Sequence, residues 1–225
     1  MRLVFSCIET PIDLVAGVPR VLEVENRKLF CRACRSLNRG DMGETDYVGV
    51  WDGERELSRK TTLCVVSDPL HLPWKDSRLD GQIFSTFEGL VFEDEETRQS
   101  IEQSIKDIQQ QIAIRSFQLT GSYHFALEWD VIKFLKTYSY SVDQMTENSY
   151  LDSLISFLDF AHDMRFNGVL VFIGLKNFLS ADELKSVYER IFFHQFYVLL
   201  LEREHDERKF APEVKTHVNL QLLEE

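Results

Sequence analysis

Apolar residues recur along this chain with two periods, and stretches of the two periods alternate. Residues 2–9 and 20–24 are short and rich in β-formers, set apart by Pro11, Gly17 and Pro19, and they predict two early strands. Residues 26–37 shift to helical spacing. A polar, glycine-flanked stretch at 38–43 predicts a loop, and 47–51 and 61–67 predict strands on either side of the charged residues 52–60. Pro69 and Pro73 then break the pattern.

Residues 82–114 contain no proline and only Gly89. Ile101, Ile105, Ile108 and Ile112 fall there at i, i+4, i+7 and i+11, the narrow stripe of a helix. Glu93, Asp94, Glu95 and Glu96 suit a helix N-terminus and mark where this long helix bends or breaks. So narrow a stripe resembles a two-helix seam, and it leaves an oligomer contact and packing within the chain equally open. Residues 117–127 predict irregular or strand structure around Gly121. Residues 129–137 predict a short helix that turns Val131, Ile132, Phe134 and Leu135 inward.

In the C-terminal third, Leu151, Leu154, Ile155, Leu158 and Ala161 have helical spacing, and Asn167-Gly168 supplies a stop and turn. VLVFIGL at 169–175 reads as a strand buried on both faces. Ser180 with Glu183 matches a capping box for a helix at 181–194, and 197–201 is a second apolar strand. Such a strand-helix-strand crossover requires a sheet that is at least partly parallel. The alternation at 217–223 suggests an edge strand. The fold class is α/β, with a crossover like that of nucleotide enzymes.

Composition refines this picture. With 225 residues, 44% hydrophobic and 28% charged, the chain can bury a core without disulfide or metal staples. No apolar run reaches the roughly 18 to 20 residues of a membrane span, and the first acid arrives at Glu9, so neither an anchor nor a signal peptide is expected. Cys7, Cys31, Cys34 and Cys64 are then free thiols in a reducing cytosol. The net charge of -12 repels nucleic acid and acidic membranes in bulk. That charge is uneven: residues 1–80 hold 12 Lys/Arg against 13 Asp/Glu, and residues 81–225 hold 13 against 24.

The motifs of catalysis are missing. There is no G-x-x-x-x-G-K-[ST] Walker A loop and no G-x-G-x-x-G, and VLVFIG runs into Gly174-Leu175-Lys176-Asn177 rather than into magnesium-binding acids. The six histidines form no recognisable triad. Cys31-x-x-Cys34 has redox or zinc spacing, but no second pair matches it, and the position inside an amphipathic helix reads as small buried hydrophobes.

A basic pattern is more informative. Lys28, Arg32, Arg35 and Arg39 fall at i, i+4, i+7 and i+11, opposite Leu29, Phe30, Ala33, Cys34 and Leu37. This helix can pack on a core while it offers cations to phosphates; an ordinary solvated face is the alternative. Arg55, Arg59 and Lys60, and Lys133 with Lys136, would extend such a surface. Glu128 and Asp130, with Asp143 and Glu147 further on, are candidate oxygen ligands for a hard cation, or simply acids favoured at a helix start.

Three segments together resemble the small accessory adaptation protein of type II-A CRISPR systems, the Csn-two family. They are MRLVFSCIETPIDL at the start, WDVIKFLKTYSYSVD at 129–143, and VLVFIGLKNFLSADELKSVYERIFFHQFYVLLLERE from Val169. The resemblance implies a phosphate-loop-type sheet core without the Walker A loop, with an inserted long-helix arm. It divides the chain into an α/β head at 1–79 and 147–225 and a helical leg at 80–146. It further implies a non-enzymatic, ring-shaped homotetramer in the bacterial cytoplasm. Such a ring holds double-stranded DNA ends in a basic-lined hole, independently of sequence. Ca2+ supports its shape, with Glu128 and Asp130 as the ligand candidates. Its partners in spacer acquisition are the adaptation integrase and the RNA-guided effector nuclease, with no membrane. A protein-protein scaffold and a cryptic nucleotide hydrolase are the rival expectations. A ring also answers the charge objection, since it gathers copies of one basic stripe inside while acids face outward.

Overall fold

The computed structural model describes residues 1–39, 46–125, 129–143 and 149–221. The chain divides into two compact units, Met1–Leu79 with Gln144–Glu225, and Asp80–Asp143. In chain order the elements are β1 (Arg2–Phe5), β2 (Ile12–Asp13), β3 (Arg20–Val24), α1 (Arg27–Arg39), β4 (Val48–Asp52), β5 (Arg55–Leu57), α2 (Arg59–Thr62), β6 (Leu63–Val66) and α3 (Ser77–Asp80). There follow α4 (Ile83–Glu93), α5 (Glu95–Ser116), α6 (Val131–Thr137), α7 (Tyr150–Asp163), β7 (Val169–Ile173), α8 (Ala181–His194), β8 (Tyr197–Glu202) and β9 (Val214–Val218), with a 3-10 turn at Leu175–Phe178.

The first unit holds two sheets, where the sequence pointed to one. Five strands in the order β6-β7-β8-β3-β9 are parallel throughout, and β2-β1-β4-β5 form a separate antiparallel sheet. The pattern hid the second sheet because β2 and β5 are only two and three residues long, with exposed charges at Asp13, Arg55 and Glu56. Their pairing comes from the backbones of β1 and β4, not from an apolar face of their own.

Alternation along the parallel strands creates two buried faces. On one face Leu22, Val24, Val169, Val171, Leu199, Leu201 and Val218 join a core with Leu3, Phe5, Val48 and Val50 of the antiparallel sheet and Leu29, Ala33 and Leu37 of α1. Val21, Leu170, Phe172, Val198 and Leu200 point the other way and are equally buried. α7 and α8 pack on each other and bury Leu154, Phe157, Leu158, Leu184, Val187, Tyr188 and Ile191. The capping box at the start of α8 is present in both directions, Ser180 Oγ accepting from Glu183 N and Glu183 Oε2 from Ser180 N.

Several boundaries differ from the sequence reading: β1 stops at Phe5 rather than at residue 9, and residues 61–62, read as the start of a strand, close helix α2 before β6 begins at Leu63. The last strand is β9 at Val214–Val218, earlier than 217–223, because it pairs with β3 and ends level with Val24. The stop of α7 is also earlier. Arg165 takes the left-handed position at φ 52, with Arg165 N bonded to His162 O and Phe166 N to Ala161 O, so Asn167-Gly168 is not the cap.

Gly168 has a different task. A Cβ there would lie 2.1 Å from the carbonyl oxygen of Thr62 and 2.6 Å from Phe166 Cζ, at the point where β7 enters the sheet beside β6. Gly168→Ala is expected to destabilise the first unit by about 2–3 kcal/mol, because the nearest atom is backbone and cannot swing away. A urea titration followed by circular dichroism checks it; an unchanged midpoint would contradict this close approach.

In the second unit the long helical stretch breaks at Asp94. The Asp94 Oδ1 accepts from Glu96 N and Thr97 N, both at 3.1 Å, and so starts α5. Ile101 and Ile105 are half-buried, whereas Ile108 and Ile112 are 56% and 53% exposed. In α6 only Val131 and Leu135 are buried; Ile132 is half-buried and Phe134 exposed, contrary to the four inward residues expected. A seven-residue helix has one i, i+4 face to bury, and those two residues fill it. No helix among the described residues is long and apolar enough to cross a membrane.

Candidate nucleic-acid interface

The basic helix α1 begins where β3 ends. Asn26 Oδ1 accepts from Lys28 N at 3.1 Å and Leu29 N at 3.2 Å, occupying two of the first-turn donors that a phosphate would otherwise use. Leu29, Ala33 and Leu37 are buried, and Phe30 and Cys34 half-buried, while Lys28, Arg32 and Arg35 lie exposed on the other side. Burial of the two leucines fastens the helix, each stabilising by roughly 1.5–3 kcal/mol. The side chain of Arg39 and the predicted loop residues 40–43 lie outside the described residues.

One carboxylate organises this face. Asp46, with a side chain 8% exposed, accepts from Arg32 Nε at 2.7 Å and from Arg35 Nη1 at 3.4 Å. Both guanidinium side chains stay about half exposed, 45% and 52%, so each keeps donors turned to solvent. The stripe therefore carries three described cations against one acid, and that acid holds the two arginines in register. Asp46 was absent from the sequence-derived site because nothing in its spacing tied it to α1.

Other predicted residues part ways. Arg59 Nη2 donates to Ser36 O at 2.8 Å and Leu37 O at 3.0 Å, closing the C-terminal carbonyls of α1. Its guanidinium positions the helix from behind. Arg55 on β5 and Lys60 on α2 are exposed. Lys133 and Lys136 stand on α6 in the second unit, Lys133 Nζ 4.0 Å from Asp130 and Lys136 Nζ 5.4 Å from the centre of the Phe84 ring.

Of the two candidate metal ligands, Glu128 lies outside the described residues. Asp130 is the N-cap of α6, its Oδ1 accepting from Lys133 N at 2.8 Å. A hard cation takes six to eight oxygen ligands. Among the described residues no group of three or more carboxylates, imidazoles or thiols is placed to hold a metal ion. Of the C-x-x-C pair, read from the sequence as buried hydrophobes, Cys34 is half-buried but Cys31 is exposed, while Cys64 is buried; burial pushes the Cys34 and Cys64 thiols up to about 11 and about 12.

Sequence reasoning missed the most heavily charged interior of the molecule. At the carboxyl end of the parallel sheet, Glu23 on β3 and Glu202 on β8 are register partners, 0% and 3% exposed. Lys176 follows β7 and reaches Glu213 Oε2 at 2.9 Å and Asp206 Oδ2 at 3.5 Å, while its N–H donates to Glu202 Oε1 at 3.0 Å. Lys215 stands 3.4 Å from Glu23 and 3.2 Å from Glu213. Burial, reinforced by the charge of Glu23, pushes the Glu202 carboxyl up to about 7 against the opposing effect of Lys176. Burial also disfavours the Asp206 carboxylate, yet hydrogen bonds from Arg208 and the Lys176 charge outweigh it and hold the group at about 2. The available signal was an acid inside each apolar strand, in RVLEV and YVLLLE.

Fold and face together define an α/β protein with an all-parallel sheet that carries an exposed, pre-ordered cationic helix. Residues 46–214 match the family model described as CRISPR-associated protein (Cas_Csn2), and the chain belongs to that family. α1 lies before the matched residues, so its basic face rests on its own geometry. No curated protein matches the sequence. The crystal structure of Stu0660 of Streptococcus thermophilus is similar in fold, with a TM-score of 0.51 at 13% identity over 89% of this chain and 68% of that one.

Proposed function

We propose that this member of the Csn2 family binds the ends of double-stranded DNA, without reading sequence, as a ring-shaped homotetramer that supports spacer acquisition in type II-A CRISPR immunity. The observation that carries the reading is the cationic face of α1, where Asp46 aims two half-exposed guanidiniums outward. Forked guanidiniums suit phosphate oxygens, and contacts to phosphate alone carry no sequence information. We read the parallel sheet as a phosphate-loop-type core that has lost its loop, and α4 with α5 as the arm. In support, β3 passes into α1 through Asn26 without a glycine-rich loop, and Lys176 stands after β7 where magnesium-binding enzymes keep an acid. A non-enzymatic role in the bacterial cytoplasm, beside the adaptation integrase and effector nuclease, follows from this reading. Self-assembly has a candidate surface in Ile108, Ile112 and Ile114, all more than half exposed. Calcium, through Glu128 and Asp130, would support that assembly.

Band-shift assays with linear and closed-circular duplex test the proposal, alongside native mass with and without Ca2+. Linear duplex is expected to bind at low salt, and affinity to fall with a log-log slope of about −0.9 per phosphate neutralised. A ring that loads at ends leaves closed circles unbound. A protein that stays monomeric with Ca2+, or that binds neither duplex, would sink the reading.

A further inference from the structure

The connection from β8 to β9 is unusual for parallel strands. It leaves the carboxyl end of the sheet after Glu202 and returns to the amino end at Val214, crossing β3, yet residues 203–213 contain no helix. A strap of irregular backbone lacks the internal hydrogen bonds of a crossover helix, so it depends on what fastens it. Those fasteners are mostly charged. His205 Nδ1 is 2.7 Å from Glu23 Oε2, and Asp206 N donates to Glu23 Oε1 at 3.3 Å. Lys215 Nζ donates to the carbonyl oxygens of Asp206 and Arg208. Lys176 holds Asp206 and Glu213, and Tyr188 OH of α8 donates to Glu213 Oε2 at 2.6 Å. Phe210 sits edge-on to Tyr188, its ring centre 5.8 Å away.

Three permanent cations, Lys176, Lys215 and Arg208, face the three carboxyl groups of Glu23, Asp206 and Glu213. Glu202 is a fourth carboxyl, beside Glu23 in the sheet and against Lys176. When ionised it repels Glu23, which anchors His205 and the Asp206 N–H, and it competes for the Lys176 ammonium that holds Asp206 and Glu213. The remaining titratable neighbours are Tyr188, bonded to Glu213, and the stacked pair His205 and His217, 4.4 Å apart, with His205 against Glu23 and His217 3.5 Å from Glu25.

We propose that residues 203–213 are a proton-controlled latch, closed over β3 while Glu202 is protonated and loosened when Glu202 ionises. The direction follows from linkage: Glu202 is held above the ordinary carboxyl range at about 7, so the folded chain binds the extra proton. The stabilisation that proton confers is lost as the pH rises from the ordinary range through 7.

Hydrogen exchange read by mass spectrometry tests it at about pH 6 and about pH 8.5, corrected for intrinsic rates; protection of the strap amides is expected to fall by up to about ten-fold, with β7 unchanged. Glu202→Gln keeps an oxygen for Lys176 N–H and removes the titration, so the strap should stay protected at both pH values. Lys215→Met, which removes a fastener, should lower protection at both. Equal protection of the native strap at the two pH values, a pH response that survives Glu202→Gln, a parallel loss in β7, or no effect of Lys215→Met would each overturn the latch.

Discussion

Replacement of Lys176 by methionine is expected to destabilise the first unit by about 3–5 kcal/mol. The side chain is 5% exposed and faces Glu213, itself 1% exposed, and Asp206 at 16%. Without the ammonium, Glu213 loses its nearest cation and keeps Lys215, and Asp206 is left with Arg208, with Glu202 and Glu23 still in the cluster. An isolated charge in such a place costs far more than the paired arrangement returns, so the effect of removing one partner greatly exceeds the net worth of the pair. Domains are stable by only about 5–15 kcal/mol, and a loss of this size would be plain in a urea titration. Adding Glu213→Leu to Lys176→Met should recover part of the loss, because it removes one of the carboxylates that lost the ammonium. A single-variant shift below about 1 kcal/mol would mean that water or a rearranged neighbour already compensates Lys176.

Arg32→Gln with Arg35→Gln is expected to weaken binding of linear duplex by about a hundred-fold or more, equivalent to about 2.8 kcal/mol. On the proposed reading each copy would lose two phosphate-directed charges, and a ring would multiply that loss over its subunits. The double variant also leaves Asp46 without guanidinium partners, so a second variant separates binding from folding. Asp46→Asn keeps both cations and removes the neutralising charge. It is expected to tighten binding and to steepen the salt dependence. If DNA is held elsewhere, neither variant changes the slope. Tetramer mass should persist in both, which distinguishes loss of the ligand from loss of the assembly.

The sequence made some of these elements plain and concealed others for definite reasons. α8 begins and ends where the capping box and apolar spacing put it, since Ser180 and Glu183 settle a helix start by local hydrogen bonds alone. β7 was equally visible, because a strand buried on both faces needs an unbroken apolar run. The break at Asp94 also follows from local chemistry, an aspartate capping the helix behind it. By contrast β2 and β5 have little apolar signature, and only their neighbours' backbones make them strands. Gly168 looked like a helix stop but is required by Thr62, more than a hundred positions away.

The candidate interface divides in the same way. The i, i+4, i+7 spacing of Lys28, Arg32 and Arg35 placed three cations on one side of α1, because a single helix determines which of its residues share a face. That Asp46 would gather two of them, and that Arg59 would serve the helix end, depended on chain segments brought back just before β4 and at α2. The carboxyl end of the parallel sheet is the extreme case: Glu23, Lys176, Glu202, Asp206, Glu213 and Lys215 come from five separate places. Periodicity reports which way a side chain points from its own element, and so the sequence by itself determined the longer helices, the buried strands and the basic face, while the one-turn helices α2 and α3 were too short to show a period. Which charges meet depends on how strands are ordered across a sheet, and only the tertiary structure decided that.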